Sequence, residues 1–174
     1  MAPAVTPVFV LSGSLSPVTA TQTANARAYV RLGLDAARLA RQDAGYVEAT
    51  RSEIAAHLGA GRHVLAFTAP TNGAAVTPEL RSAALARACG DLLRAVLDTV
   101  ALKRVGVAGG DTSSYALGAL DAWGMQYAGA LSPGVPLCRI RSNAPHMDGL
   151  EIMLKGGQMG PPDLFDTLVR GEAA

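Results

Sequence analysis

Short apolar runs closed by small residues alternate along this chain with longer stretches of helical spacing. Val8-Phe9-Val10-Leu11 is β-branched and aromatic and ends in Ser12-Gly13-Ser14, the pattern of a buried strand that delivers a small-residue loop. Ser16 and Pro17 then supply an N-cap and a first helical position, and Val18, Thr19, Gln22, Ala26, Tyr29 and Val30 predict a helix over 17–32. A helix over 49–59 stops at Gly59-Ala60-Gly61, ahead of a second buried strand over 63–68 and a loop at Pro70-Thr71-Asn72-Gly73. The longest helical stretch covers 78–100, with Leu85, Cys89, Leu92, Leu93, Val96 and Val100 on one face. A third strand over 104–108 opens into Gly109-Gly110-Asp111-Thr112-Ser113, with a helix over 115–123 behind it. After Gly124 the spacing becomes extended. Strands are expected at 125–128, 137–141 and 150–154, separated by Pro133-Gly134 and Asn143-Ala144-Pro145, before a final helix over 163–169. Strands alternating with helices, then clustering toward the C-terminal part, predict an α/β fold. The expected architecture is an open three-layer sheet with helices on both faces and ligands beyond the carboxyl ends of its strands.

Composition narrows the partners. Fifteen Lys+Arg against 14 Asp+Glu leave a net charge of +1, and 49% of the 174 residues are hydrophobic, which fits one neutral, core-rich domain over 1–174. That balance excludes a disordered charged tail and argues against binding nucleic acid by phosphate neutralisation. With 5% aromatic residues, stacking platforms for single strands are scarce. No apolar run approaches the roughly 20 residues that span a bilayer, and no signal-peptide pattern opens the chain, so a cytoplasmic protein is expected. Cys89 and Cys138 stand far apart outside any ligand spacing and read as reduced, buried thiols. His57, His63 and His146 show no zinc spacing and read as surface or helix-end residues.

The 19 glycines point to chemistry. Ser12-Gly13-Ser14-Leu15-Ser16, Gly109-Gly110-Asp111-Thr112-Ser113 and Gly156-Gly157-Gln158-Met159-Gly160 each follow an expected strand and precede an expected helix. Glycine lets backbone approach a ligand closely, and a helix N-terminus presents free N–H groups with a partial positive charge of about +0.5, an arrangement suited to phosphate. Any one such loop reads equally well as a turn; three in the same context favour the phosphate. Neither a Walker A pattern nor GxGxxG is present. Asp111 suits Mg²⁺ and also a cap on the next helix, roles that do not exclude each other, and Lys155 either offsets charge on a transferring phosphoryl group or is a solvated strand-end lysine. Asp148 and Glu151 read as exposed strand-edge charges rather than as a catalytic base, and Arg139 and Arg141 as a solvated face.

Gly109-Gly110-Asp111 resembles, over a few residues only, the loop of phosphofructokinase-like kinases. A broader resemblance is carried by Leu11-Ser12-Gly13-Ser14-Leu15-Ser16-Pro17-Val18-Thr19 with Gln22, by 108–113 and by 154–160, together with Phe67-Thr68-Ala69-Pro70 and 131–136. In that order these motifs resemble the C-terminal nucleotide-binding domain of the four-carbon acid sugar kinases. The resemblance implies ATP and Mg²⁺ as cofactors and phosphorylation of a small sugar acid such as a 3-oxo-tetronate, threonate or erythronate. It implies that Ser12 and Ser14 contact the nucleotide, that the Gly109–Thr112 stretch wraps its phosphates, and that Gly156, Gly157, Gln158 and Met159 close over it. With Gly13 and Ser113, these residues make up the expected nucleotide site, and Asp111 and Lys155 are its supporting catalytic candidates. Many members have Glu in place of Asp111 and Ser-Gly-Asn-Phe in place of Gly156-Gly157-Gln158-Met159. The family's N-terminal substrate domain, expected to supply the sugar-acid partner and an acidic catalytic motif, resembles nothing in these 174 residues. The isolated domain is therefore expected to bind nucleotide and turn over little, with a homodimer left open. The alternative is a stand-alone nucleotide-sensing or partner-binding module.

Overall fold

Phe9, Val10 and Leu11 are each 0% exposed, because the strand they form, β1 (Phe9–Ser12), is covered on both faces, as a run without polar alternation requires. The computed structural model describes residues 2–69 and 82–171. The described residues add the strands β2 (Tyr29–Gly33), β3 (His63–Phe67), β4 (Arg104–Ala108), β5 (Ala122–Ser132), β6 (Val135–Ser142) and β7 (Glu151–Lys155), in one sheet of order β2-β3-β1-β4-β7-β6-β5. Neighbours from β2 to β7 are parallel, and β6 runs antiparallel to both β7 and β5. Four of these seven strands begin after residue 100, in keeping with the expected C-terminal clustering.

The helices are α1 (Pro17–Asn25), α2 (Ala36–Ala40), α3 (Ala44–Gly59), α4 (Ala83–Leu97), α5 (Gly110–Ala119) and α6 (Leu164–Arg170). Alternate strand residues serve opposite faces. Phe9, Leu11, Val64, Ala66, Val105 and Val107 pack with Leu39, Ile54, Leu58, Leu92 and Ala116 of α2 to α5. Val10, Leu65, Ala108 and Met153 pack on the other face with Ala26, just past α1, and with Phe165 and Leu168 of α6. This is the expected three-layer α/β arrangement. No helix among the described residues is long and apolar enough to cross a membrane.

Several boundaries differ from the sequence pattern. The helix expected over 17–32 ends at Asn25, and Tyr29–Gly33 is edge strand β2. Tyr29 is buried on the second face and its hydroxyl donates to the Phe165 carbonyl at 2.8 Å, so a β-branched and aromatic run seeks the sheet rather than prolonging a helix of low apolar content. Asp35 caps the short α2, and Asp43 caps α3 five residues ahead of its expected start, its carboxylate accepting from the Tyr46 N–H at 3.1 Å. The helix expected over 115–123 starts at Gly110 and stops at Ala119. Asp121, at φ 50°, turns the chain, and Trp123 belongs to β5. Ser82 caps α4; the rest of the expected 78–100 start and the loop at Pro70-Thr71-Asn72-Gly73 lie outside the described residues. Pro133-Gly134 is the two-residue turn of the β5–β6 hairpin, with Gly134 at φ 75°.

Cys89 lies in the α4 core face, where burial pushes its thiol up to about 12, whereas Cys138 is only half-buried. Maleimide is expected to label Cys138 slowly in the native protein and Cys89 only after denaturation, as read by mass spectrometry of the labelled peptides. His63 is not a surface residue: it sits in β3, and its Nδ1 accepts from the Val8 N–H at 2.9 Å.

Candidate functional site

β1, β4 and β7 are adjacent and parallel, so the three small-residue loops that follow them emerge side by side at one edge of the sheet. Backbone bonds tie them together. The Gly13 N–H donates to the Ala108 carbonyl and the Gly109 N–H to the Lys155 carbonyl, each at 2.9 Å. The chain leaves β1 toward the α6 face and β4 toward the α4 face, which opens a crevice between the two strands. In that crevice lies a cavity of about 470 Å³, lined by Gly13 to Ser16, by Ser82, Leu85 and Ala86, by Gly110 to Thr112, and by Gly157 and Gln158.

Three helix N-termini border this cavity. Ser16 caps α1 by accepting from the Val18 N–H at 3.2 Å, and Ser82 caps α4 by accepting from the Leu85 N–H at 3.1 Å. Gly109 occupies the corresponding position of α5 and offers no side chain, so the first N–H groups of α5 have no side-chain cap. The charged side chain among the described lining residues is Asp111, exposed in the first turn of α5. The cavity is thus positively polarised by backbone, without a lysine or arginine in its described lining.

Gly13 is what allows the first two loops to meet. A Cβ built there would stand 2.1 Å from Thr112 Oγ1, and Thr112 is itself 5% exposed. Gly13→Ala is expected to cost about 1–3 kcal/mol of stability through overpacking. Thr112→Ala should recover part of that loss when the two are combined, a negative coupling that urea melts of both single variants and the double variant would read.

Lys155 is 2% exposed, so it is not a solvated strand-end lysine. Its Nζ donates to Thr19 Oγ1 at 2.7 Å and to the Gly157 carbonyl at 3.3 Å. Thr19 Oγ1 in turn lies 2.9 Å from that carbonyl and 3.0 Å from Ser14 Oγ. One turn further along α1, Gln22 Nε2 donates to the Met159, Gly160 and Pro161 carbonyls at 2.9, 3.0 and 3.0 Å. The inward face of α1 is therefore polar, and its work is to hold the third loop.

A sequence model of the nucleotide-binding C-terminal domain family matches residues 9–165. The chain belongs to that family. Among curated relatives, a 3-oxo-isoapionate kinase from Paraburkholderia graminis is 37% identical over 181 residues, covering 94% of this chain and 38% of its own length. A 3-oxo-tetronate kinase from Cupriavidus necator is 32% identical over 171 residues, with the same two shares, 94% and 38%. A Bordetella bronchiseptica protein, crystallised with citrate as a domain-swapped dimer, superposes with a TM-score of 0.75 at 26% identity, over 98% of this chain and 41% of that one. A Haemophilus influenzae protein shares the fold, with a TM-score of 0.79 at 22% identity over 100% and 42%. The chain spans about two fifths of the length of these relatives.

In this nucleotide-binding domain the expected site residues divide. Gly13, Ser14, Gly110, Asp111, Thr112, Gly157 and Gln158 line the cavity, while Ser12, Gly109, Ser113 and Gly156 stand in the same loops outside its lining. Ser12 and Ser113 each bury a hydroxyl that has no partner among the described residues. Met159 is turned away toward the β5–β6 turn, its Cε close to Gly134. Asp111 does not cap α5, because the helix begins one residue before it. Among the described residues no group of three His, Cys, Asp or Glu is placed to hold a metal. Glu151 is no free edge charge: it pairs with Arg104 at 2.7 Å and Arg139 at 3.1 Å, at the end of β7 away from the cavity. Asp148 pairs with Arg141 at 3.6 Å, so both arginines of β6 have carboxylate partners. In the sequence Thr19 and Gln22 read as helix positions and as part of the motif that carries the resemblance, with no contact of their own assigned. Two polar residues three apart on the inward face of a helix, directly after a small-residue loop, are the signal that marks them.

Proposed function

We propose that this chain is the ATP-binding domain of a sugar-acid kinase. The γ-phosphate of ATP passes to a hydroxyl of a small four-carbon (oxo)acid that we assign to a second domain, this chain matching 38% of the length of each curated relative. The observation that carries this reading is the cavity where three helix N-termini and three small-residue loops meet with one carboxylate and no cation in the described lining. A volume of about 470 Å³ suits a nucleotide-sized ligand. The N–H groups of Gly110, Asp111 and Thr112, which a helix cannot satisfy internally, fit phosphate oxygens, and a Cβ at Gly110 would meet no atom within 4 Å, so the cradle is open.

Asp111 suits Mg²⁺, which is held by one or two carboxylates together with substrate phosphates. Bound there, the ion would neutralise charge on the phosphates. The domain's own residues supply positioning: backbone N–H groups orient the phosphates, and α4 closes the wall opposite with Leu85 and Ala86. Among the described lining residues only Asp111 is ionisable, and the base for the acceptor hydroxyl is assigned to the second domain, so the isolated domain turns over little. A stand-alone sensor would bind nucleotide equally but never transfer phosphate.

Melting in the presence of MgATP tests the reading. At a hundredfold excess over Kd the fold gains about 2.7 kcal/mol, which for a chain of this size raises Tm by roughly 5–10 °C. 3-oxo-tetronate alone is expected to leave Tm unchanged. No shift at saturating MgATP would overturn the assignment.

A further inference from the structure

Lys155 is a buried ammonium with no carboxylate beside it among the described residues. α1, which lies against it, has no charged residue, and the other charged side chains of β4 and β7 are Arg104 and Glu151, which pair with each other at the opposite end of the sheet. On α6, Asp166 accepts from the Arg27 and Ala28 N–H groups, and Asp163 pairs with Arg170 at 2.9 Å. Asp111 of α5 is exposed at the cavity. Burying an ammonium without an anion is costly, and it persists where something else needs the charge.

The hydrogen bonds around it lead to the cavity. Lys155 Nζ donates to Thr19 Oγ1, leaving the Thr19 proton for the Gly157 carbonyl or for Ser14 Oγ. Ser14 Oγ also accepts from the Ser16 N–H at 3.2 Å. Ser14 lines the cavity, and with the Thr19 proton given to Ser14 Oγ, the Ser14 proton has no other acceptor among the described residues and is left for the cavity. A Cβ at Gly157 would stand 3.0 Å from Ser14 Oγ, so the first and third loops meet at this hydroxyl.

We propose that Lys155 is a positioning residue of the phosphate site: acting through the Thr19 hydroxyl, its ammonium fixes the Ser14 hydroxyl as a donor into the cavity and holds the Gly157 peptide beside it. A bound phosphate supplies the negative charge that the ammonium lacks. This rests on the reading of the cavity as a nucleotide site. Burial lowers the Lys155 ammonium to about 8, so in the free protein its charge is lost as pH rises through that value. Anion binding favours the charged form, so affinity weakens over the same window.

The experiment is calorimetric titration of MgADP into the wild type, Lys155→Met and Thr19→Val between pH 7 and 9.5, with the Tm of each free protein. The wild type is expected to lose at least fivefold in affinity across the range. Lys155→Met should bind at least tenfold more weakly at pH 7, with a flat pH profile and a free-protein Tm equal to or above that of the wild type, since it removes an uncompensated buried charge. Thr19→Val should weaken binding at pH 7 at least fivefold and flatten the profile. Wild-type affinity and slope in either variant would overturn the proposal, as would a fall of Lys155→Met in Tm that accounts for its loss of affinity. If the wild type binds no nucleotide at any pH, the functional reading itself fails; if the wild type and both variants bind alike, only the role of Lys155 fails.

Discussion

Gly110→Val is expected to abolish nucleotide binding while leaving the fold intact. Gly110 is the first residue of α5, it lines the cavity, and a Cβ there meets nothing within 4 Å. Its φ is not positive, so valine adds an isopropyl group without backbone strain, into space that the reading assigns to phosphate. Valine is also a better helix residue than glycine by a few tenths of a kcal/mol, which keeps Tm within a degree or two of the wild type. Losing the close approach of backbone to a phosphate is expected to weaken MgATP at least about 100-fold, or about 2.7 kcal/mol. Calorimetry should show heat for the wild type and none for the variant. Equal heats would mean that the N-terminus of α5 is not the phosphate cradle.

Glu151→Ala is expected to do the reverse, lowering stability without touching affinity. Arg104 is 5% exposed and is neutralised by Glu151, with the carbonyls of Ala2 and Leu168 as its other partners. Removing the carboxylate leaves a buried guanidinium uncompensated, a loss of about 3 kcal/mol, or roughly 6–12 °C in Tm. Burial pushes the Glu151 carboxyl up, but the guanidinium hydrogen bonds from Arg104 and Arg139 outweigh it and hold the group below its ordinary value. Its stabilising contribution is therefore present above the ordinary carboxylate range and fades as pH falls through the lower folded value, so the difference between wild type and variant should shrink in acid. Glu151 begins the strand that Lys155 ends, roughly 13 Å away, so MgATP affinity should be unchanged in the variant. A loss of affinity at unchanged Tm would return Glu151 to the site as a candidate base.

The chain announces its loops more clearly than its neighbours in space. Apolar runs closed by small residues marked β1, β3, β4 and β7, because strands buried on both faces carry no polar alternation to confuse them with amphipathic helix. The same reasoning mistook residues 29–32 for helix, since Tyr29 and Val30 fit a helical spacing and what decides their state is pairing with β3, a partner more than 30 residues away. Trp123 was misplaced for a related reason: helix α5 is ended by the turn at Asp121, and β5 is held by β6. That the three loops share one cavity follows from the adjacency of β1, β4 and β7, which no local pattern encodes. Lys155 could be read either way because a lysine that ends a strand is ordinarily solvated; its burial depends on Thr19 of a helix 136 positions earlier in the chain.

Amide NMR of the wild type titrated with MgADP tests most directly the claim that a nucleotide's phosphates are held by backbone N–H groups at this edge of the sheet. The largest shifts are expected at the N–H groups of Gly13, Ser14, Gly110, Asp111, Thr112 and Gly157. A saturable change confined instead to the second cavity, at the opposite end of the sheet among Ala2 to Val5, Lys103 and Arg139, would contradict the account.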